Sequence, residues 1–308
     1  LRLDVLNDVT NILRVLAMSD VPTAVSTKDE IALEGFIDYA GLFPPANLDM
    51  DSTVKNWHNY MQSDDSWILA RLIIPASRLE EFKQSATGML PSPEEQDMWQ
   101  LSVLLPPAGS AEFASAVQAT IDFNVSDCGA VANVVEFKAS TASEIDASLE
   151  LLHDDLFPFI ELAVNEDPRG LLASLSGAIA GAKVRTGGIT PELYPTPAQL
   201  ARFVHSCAVS GQPFKATAGM HHPSKNENLS VGVSEFGFLS VLQATASASV
   251  LGSSVEEVEA ILLADTPDLS AFTEEQLEQV RAELFNSLGS CSFKEAREDL
   301  RTMGMLKD

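Results

Sequence analysis

The feature that most constrains the fold is a repeat of short apolar or β-branched runs along most of the chain. The starts of the first seven runs lie about 22 to 34 residues apart. Runs of this length and composition predict buried strands. The eight predicted strands are Gly35–Asp38, Trp67–Ile74, Trp99–Leu105, Val131–Phe137, Phe157–Val164, Ile179–Val184, Pro213–Ala216 and Leu288–Phe293.

Amphipathic stretches fill most gaps between these runs and predict helices. Two have clear start signals, because Asp167-Pro168 and Thr196-Pro197 place a proline where its missing N–H costs nothing. Strands that alternate with helices imply a parallel sheet, since parallel strands need crossover connections. Seven or eight such units in series predict a closed (β/α)8 TIM barrel, with a doubly wound open sheet as the structural alternative. The predicted helices are Met50–Gln62, Arg78–Ala86, Ala111–Ile121, Ser143–His153, Arg169–Leu175 and Pro197–Ala208.

Two segments lie outside the period. Residues 1–34 predict an N-terminal helix, Val5–Met18, and a polar connector, so that residues 35–308 form a single barrel domain. Residues 224–287 predict a helical insertion before the last strand. One of its helices is apolar on nearly every face, which predicts either a layer over the barrel or a contact with a second copy or another protein. The helices predicted in the insertion are Phe236–Leu251, Val255–Leu263 and Glu274–Leu288.

The charge balance excludes some partners. The chain carries 44 acidic and 19 basic residues, a formal net charge of −25. Such a surface repels phosphate backbones, so we expect neither nucleic acid nor an anionic membrane as a partner. The three cysteines are widely spaced, which argues against a disulfide framework and a structural zinc site. No apolar run approaches the roughly 20 residues that span a bilayer. We therefore expect a soluble, intracellular protein, in the cytoplasm or an organelle lumen.

Charged residues near the ends of the predicted strands are the candidates for chemistry, because barrel enzymes place their sites at the C-terminal ends of strands. Lys183 and Lys215 are the most informative, since each lies among apolar and small residues in successive strands. A second nearby cation and desolvation both lower the pKa of an amine and make it nucleophilic. The alternative for each lysine is an ion pair with a carboxylate such as Glu161. Asp38, Arg71, Glu136, Lys138, Glu161, Arg185, His221 and His222 complete the set.

The order of five motifs resembles the deoxyribose-phosphate aldolase family and its class I, Schiff-base aldolase relatives. The resemblance covers about residues 35–220 and the tail, and each motif is short. The motifs are Ile37-Asp-Tyr-Ala-Gly-Leu-Phe-Pro-Pro-Ala46, Ile160-Glu-Leu-Ala163, Lys183-Val-Arg-Thr-Gly187, Phe214-Lys-Ala-Thr-Ala-Gly219 and Gly289-Ser-Cys-Ser292.

The resemblance implies a lyase without a cofactor that acts on a small anionic carbonyl compound, with phosphate as one option for the anionic group. Lys183 would form the Schiff base, Lys215 would depress its pKa, and the two lysines could exchange roles. Glu136 or Glu161 would move protons, and Asp38 belongs to the same catalytic set. The residues that would bind the anion are Arg185, Thr186, Gly187, Gly188, His221, His222, Gly289, Ser290 and Ser292.

Four departures from the family pattern separate this chain from its characterised members. Glu136 stands where the family has an aspartate, and Arg185 stands where it has a small hydroxyl residue. His221-His222-Pro223 replaces a glycine-rich phosphate loop, and the 224–287 segment is foreign to the family. The resemblance therefore predicts an uncharacterised branch, and the family's substrate is not carried over.

Two other functions remain open from the sequence. His221 or His222 with Glu136 and Glu161 offers nitrogen and oxygen ligands for a divalent metal, as in a metal-dependent lyase or isomerase. A catalytically silent barrel that serves as a binding or structural subunit is the third reading, with the 224–287 segment as its docking surface.

Overall fold

The computed structural model describes residues 26–92 and 98–307. Within them, eight parallel strands close into a barrel. β1 closes it by pairing with both neighbours, since Ile37 lies opposite Leu69 on one side and Leu288 on the other. The predicted TIM barrel is confirmed, and the doubly wound alternative is wrong. The barrel strands are β1 (Ile37–Tyr39), β2 (Leu69–Pro75), β3 (Trp99–Leu104), β4 (Ala130–Lys138), β5 (Phe157–Glu161), β6 (Gly181–Arg185), β7 (Phe214–Thr217) and β10 (Phe285–Ser290).

Helices follow most barrel strands, and side-chain caps begin several of them. Thr196 caps its helix reciprocally with Gln199, and Pro197 occupies the first helical position, as the sequence indicated. The helices between β1 and β7 are α2 (Met50–Met61), α3 (Leu79–Ser85), α4 (Phe113–Val125), α5 (Ala142–Leu149), α6 (Arg169–Leu175) and α7 (Pro197–Ser210). No helix in the described part of the chain is long and apolar enough to cross a membrane.

The segment before β1 differs from the expected polar connector. Helix α1 (Thr27–Leu33) occupies it, begun by Ser26, whose hydroxyl accepts a hydrogen bond from the backbone N–H of Asp29. Ala32 and Leu33 are fully buried, so packing against the helix Glu274–Glu283 stabilises a helix that the polar composition did not predict. The predicted helix Val5–Met18 lies outside the described residues.

The 224–287 segment is the connection from β7 to the last barrel strand. It begins with a hairpin, β8 (Asn226–Asn228) and β9 (Val233–Glu235), which the sequence did not predict. Helix α8 (Phe238–Ala246) continues as a π-helical turn, Ser247–Leu251, and α9 (Val255–Leu263) and α10 (Glu274–Glu283) follow. Most side chains of α8 are buried against the chain's own helices. Its apolar character is therefore accounted for by packing within the helical layer, and a subunit contact through this segment stays a prediction.

The last barrel strand begins earlier than predicted. The chain is extended from Phe285 to Ser290, so the helix predicted to reach Leu288 ends at Glu283. The Asn286 amide donates to the carbonyls of Arg281 and Ala282, at 3.0 and 2.8 Å. A side chain thus satisfies the orphan carbonyls at the helix end, where the sequence shows no glycine or proline. Helix α11 (Phe293–Thr302) follows the strand.

Aromatic rings pack together where β7 and β10 begin, at the N-terminal end of the barrel. The rings of Phe214 and Phe285, the first residues of β7 and β10, stack with centroids 4.8 Å apart. Phe36 packs edge-on against Phe285 at 5.0 Å, and the buried Arg281 guanidinium lies 3.7 Å from the Phe36 centroid. Pairs of this kind contribute about 0.5–1.5 kcal/mol each beyond burial. The cavity that could hold a ligand lies at the opposite, C-terminal ends of the strands.

Candidate functional site

A cavity of about 260 Å³ opens at the C-terminal ends of the strands. Charged side chains and apolar residues from the loops after β1 and β6 share its walls. The lining residues are Ala40, Phe43, Pro44, Ile73, Leu104, Glu136, Glu161, Lys183, Arg185, Gly188, Ile189, Leu193, Thr217, Ala218, His221, Gly289 and Cys291. The place of this cavity is where TIM-barrel enzymes carry their active sites.

Strand register brings three of the predicted catalytic residues into one row. Lys183 on β6 lies opposite Glu161 on β5 and opposite Lys215 on β7. Paired residues of parallel neighbours project to the same face of a sheet. The two lysines therefore enter the barrel side by side, as the sequence predicted.

Glu136 connects the two lysines. One of its oxygens lies 2.8 Å from the Lys183 ammonium and the other 2.5 Å from the Lys215 ammonium. The hydroxyl of Ser102 donates to Glu136 at 2.6 Å. Glu161 lies 3.1 Å from Lys183 on the cavity side. Lys183 therefore has a carboxylate on each side.

Lys215 is ion-paired with Asp38, and Arg71 lies near the same carboxylate. Asp38 accepts hydrogen bonds from the Lys215 ammonium at 2.5 Å and from the Ser287 hydroxyl at 2.8 Å. Arg71 lies 3.8 Å from the other oxygen of Asp38. Lys215 is fully buried, whereas Lys183 reaches the cavity wall. Asp38 thus belongs to the charged cluster but acts on Lys215 rather than on the open space.

The pKa of Lys183 differs from the one expected for a lysine beside a second lysine. Burial alone lowers its pKa, but the carboxylates of Glu136 and Glu161 raise it more, and the net pKa lies above the ordinary value. Burial raises the pKa of Glu136, but Lys183 and Lys215 lower it by more than burial raises it. The net pKa of Glu136 is therefore below the usual range. The pKa of Glu161 is lowered in the same way, against its burial, by Lys183 and Arg185. The expected pKa depression of Lys183 by Lys215 is therefore wrong, because the site holds the Lys183 ammonium between two carboxylates.

Arg185 stands at the mouth of the cavity. Its side chain is 43% exposed, and its Nε lies 3.4 Å from Glu161, a long contact. The charged groups around the cavity are the cations Arg71, Lys183, Arg185 and Lys215 and the carboxylates Asp38, Glu136 and Glu161. With one more cation than anion, this cluster favours an anionic ligand, and Arg185 is the group that is free to pair with it.

His221 and Cys291 form the wall opposite the loop after β6. The Nδ1 atom of His221 lies 3.0 Å from the Ser290 hydroxyl, which itself donates to the Ser292 carbonyl at 3.1 Å. In that arrangement Nδ1 carries the proton and Nε2 is free to accept one. Burial lowers the pKa of His221 and raises that of Cys291 to about 11, so both are neutral near neutral pH. His221 is a candidate proton acceptor, and the raised pKa of the Cys291 thiol disfavours its thiolate form.

The other residues predicted to bind the anion have structural contacts instead. The Thr186 hydroxyl donates to the Thr217 and Ala218 carbonyls, the nearer at 2.5 Å. Ser292 begins α11 by accepting from the Glu295 N–H. Ser290 orients His221, and Gly187 packs on the backbone of Gly219, where a Cβ would meet it at 2.8 Å. Of the predicted anion-binding set, the cavity is lined by Arg185, Gly188, His221 and Gly289.

The geometry does not assemble the predicted metal ligands. His222 pairs with Asp299 on α11 at 2.6 Å, and Glu136 has a lysine on each oxygen. Within residues 26–92 and 98–307, no three His, Cys, Asp or Glu side chains come together in a way that could hold a metal ion. Lys138, another strand-end candidate, is exposed at the end of β4.

A second, smaller cavity of about 110 Å³ lies beside the first and was missed by sequence reasoning. Tyr194, Asn228 and Glu235 meet there, and Glu235 is only 4% exposed. These residues belong to a loop and to the hairpin β8–β9, which have no periodic pattern. The only signal available was a lone glutamate between apolar residues, Val233 and Phe236, at the edge of a polar loop.

Comparisons with known proteins add little to this geometry. No family model matches the chain, and no curated protein matches it. Among solved structures it is similar to RipC from Yersinia pestis (11% identity, 78% of this chain and 90% of that one, TM-score 0.38). It is also similar to the homocysteine methyltransferase MmuM from Escherichia coli (12%, 83% and 83%, TM-score 0.31) and to a putative dihydrodipicolinate synthase family protein from Coccidioides immitis (13%, 92% and 97%, TM-score 0.38). At these scores the similarities carry no argument about activity, and the chain is assigned to the TIM barrels on its own strand pairing.

Proposed function

We propose that this protein is a lyase of the class I aldolase type, which forms an imine between Lys183 and a small carbonyl compound that carries an anionic group. One observation carries the proposal: Lys183 lies at the wall of the cavity, almost fully buried, between two carboxylates and next to a second buried lysine. An amine in such a place has two carboxylates within hydrogen-bond distance that can accept its proton. The cavity that it lines, of about 260 Å³, can hold a small carbonyl compound.

The chemistry balances with the residues present. The Lys183 ammonium gives a proton to Glu161 or Glu136, and the free amine attacks the carbonyl carbon. Loss of water then leaves a protonated imine. Glu161 gives its proton to the departing water and is again a carboxylate. It then takes the proton of a hydroxyl group on the β carbon of the substrate, and the bond between the α and β carbons breaks. The electron pair of that bond moves into the imine to give an enamine, and the β fragment leaves as a second carbonyl compound. Protonation of the enamine and hydrolysis return the amine. The reverse sequence is a condensation, and Arg185 would hold the carboxylate or phosphate of the substrate in either direction.

Glu161 is the better placed of the two proton acceptors. Its side chain is 15% exposed at the cavity, whereas that of Glu136 is 1% exposed and hydrogen-bonded to Ser102 as well as to both lysines. A carboxylate that must exchange protons with a substrate or with water needs access to them. Glu136 is then the fixed counter-charge that keeps the two lysines together.

Borohydride trapping tests the proposal directly. The protein is incubated with small aldehydes, 2-oxo acids and sugar phosphates, reduced, and analysed by intact mass and peptide mapping. We expect one stable adduct, on the peptide that contains Lys183. Adducts on exposed lysines such as Lys294, which is 71% exposed, would appear without saturation and are the internal control. No specific adduct across the panel would contradict the proposal and would favour the catalytically silent barrel.

The rate of trapping should rise with pH. Because the pKa of Lys183 is raised, its amine is protonated at neutral pH, and the reactive neutral form increases tenfold for each pH unit below that pKa. The trapping rate, measured at a fixed low substrate concentration, should therefore climb through the alkaline range without a plateau near pH 7. A rate that is already independent of pH between 6 and 8 would show a depressed pKa and contradict the ion-paired resting state.

A further inference from the structure

The second cavity shares a wall with the first. Pro44, Gly188, Ile189, Ala218 and His221 line both. The hairpin β8–β9 and the loop after β6 enclose the rest of the smaller space. The smaller space, about 110 Å³, therefore adjoins the cavity that Lys183 lines, and it has room for a group of a few non-hydrogen atoms.

Glu235 is the buried acidic group in this space. One of its oxygens accepts hydrogen bonds from the Tyr194 hydroxyl at 2.7 Å and from the Asn228 amide at 2.8 Å. No residue in the described part of the chain donates a hydrogen bond to its other oxygen, Oε2. Because Glu235 lines the cavity, Oε2 is the acceptor that remains for a ligand there. Oε2 thus marks a position where a donor from a ligand would be stabilising.

The surroundings hold Glu235 in place. The Asn228 side-chain oxygen accepts from the backbone N–H of Ser230 and of Val231, at 3.1 and 3.3 Å, which fixes the hairpin turn. Burial, with a smaller contribution from Glu235, raises the pKa of Tyr194 to about 12, so its hydroxyl remains a donor. A carboxyl group fixed in this way is a pre-organised acceptor, which reduces the entropy lost when a ligand binds.

The two cavities differ in charge. Lys183 and Arg185 line the larger one, whereas no described lysine or arginine lines the smaller one. Besides Glu235, its titratable groups are His221, which burial keeps neutral, and Tyr194. The larger space thus favours the anionic end of a ligand and the smaller space a donor or cationic end.

We propose that the smaller cavity is a subsite for a hydrogen-bond-donating group of the substrate, in first place a protonated amine, which binds Glu235 while the anionic end lies at Arg185. This inference rests on the proposed function for the role of Lys183, but the subsite itself does not require imine formation. It narrows the substrate class to carbonyl compounds that carry an anionic group at one end and an amine or hydroxyl group at the other.

Ligands without a carbonyl group test the subsite separately from the chemistry. The probes are 4-aminobutanoate, 5-aminopentanoate and 6-aminohexanoate, with the hydroxy acid and the plain carboxylic acid of each length, titrated by saturation-transfer NMR. At the length that spans the two cavities, we expect the amino acid to bind about tenfold or more tightly than the plain acid, with the hydroxy acid between them. Equal affinity of the amino and plain acids at every length would overturn the subsite.

Two variants assign the effect to Glu235. Glu235→Gln keeps an oxygen for Tyr194 and Asn228 to donate to, but it removes the negative charge, so the preference for the amino acid should disappear. Glu227→Gln, on an exposed residue of the same hairpin, is the matched control and should keep it. A preference that survives Glu235→Gln would place the amine elsewhere. Should Glu235→Gln fail to fold, the comparison of amino and plain acids on the wild-type protein still decides. Amine preference without any trapping on Lys183 would reject the proposed lyase and leave the subsite standing.

Discussion

Replacing Lys183 by methionine is expected to abolish borohydride trapping, while replacing Lys215 leaves the adduct on Lys183 but slows its formation. Lys215 is fully buried beneath the cavity and bound to Asp38 and Glu136. Without it, Glu136 acts on Lys183 alone and raises the pKa of Lys183 further. A rise of one to three pKa units, the usual size of such charge effects, slows trapping about 10- to 1000-fold at neutral pH.

The pH profile separates this electrostatic role from a structural one. In Lys215→Met the rate should recover as the pH rises towards the new pKa of Lys183, whereas a distorted site would stay slow at every pH. Lys294→Met, on an exposed lysine, serves as the control and should leave rate and label unchanged. Circular dichroism confirms that each variant is folded. A label that moves to Lys215 in Lys183→Met and is lost in Lys215→Met would reverse the two roles.

Replacing Glu136 by glutamine should cost about 3–5 kcal/mol of unfolding free energy, the usual result of removing one partner of a buried ion pair. Both lysine ammonium groups lie against this carboxylate, and its side chain is 1% exposed. Glutamine keeps the volume and an oxygen for Ser102, so the loss reports charge rather than packing. Glu81→Gln, at an exposed pair with Arg78, is the control and should change stability little.

The unfolding free energy lost in Glu136→Gln should depend on pH, and the ion pairs of Glu136 determine the direction of that dependence. In the wild type the pKa of Glu136 is lowered, so its stabilisation is present above the ordinary carboxyl pKa of about 4.3 and is lost as the pH falls towards the lowered value. In Glu136→Gln, Lys183 loses one of the two carboxylates that raise its pKa, and the folded state favours its neutral form more than in the wild type. The difference in unfolding free energy, measured by urea denaturation, should therefore shrink as the pH rises from 7 towards 10. A difference that stays constant over this range would contradict the buried charges.

Periodicity predicted the barrel because each strand is buried on both faces and each connection is amphipathic. It failed where a side chain rather than the backbone pattern ends an element. Asn286 caps α10 with its amide, so β10 begins at Phe285 although Leu284 and Leu288 also fit a helical spacing. Ser26 begins a helix in a stretch whose polar composition predicted a loop. Side-chain caps of this kind form only in the folded chain, so a single sequence gives little indication of where they end or begin an element.

The candidate site was predictable to the extent that it is built on strands. Asp38, Glu136, Lys183 and Lys215 meet because the register of neighbouring strands is fixed by the barrel. The pKa of Lys183 was not predictable, since its direction depends on distances to two carboxylates that are far away in sequence. The hairpin and Glu235 were missed for the same reason, as their position over the cavity comes from tertiary packing.

The closing strand of the barrel has a consequence for synthesis of the chain. β10 pairs with β1 on one side and β7 on the other, and it lies about 250 residues after β1. Until the ribosome has produced it, both neighbours expose unpaired backbone N–H and C=O groups along an apolar edge, which is the kind of surface that recruits other chains. Completion of the last strand is therefore the step that removes both open edges from the sheet.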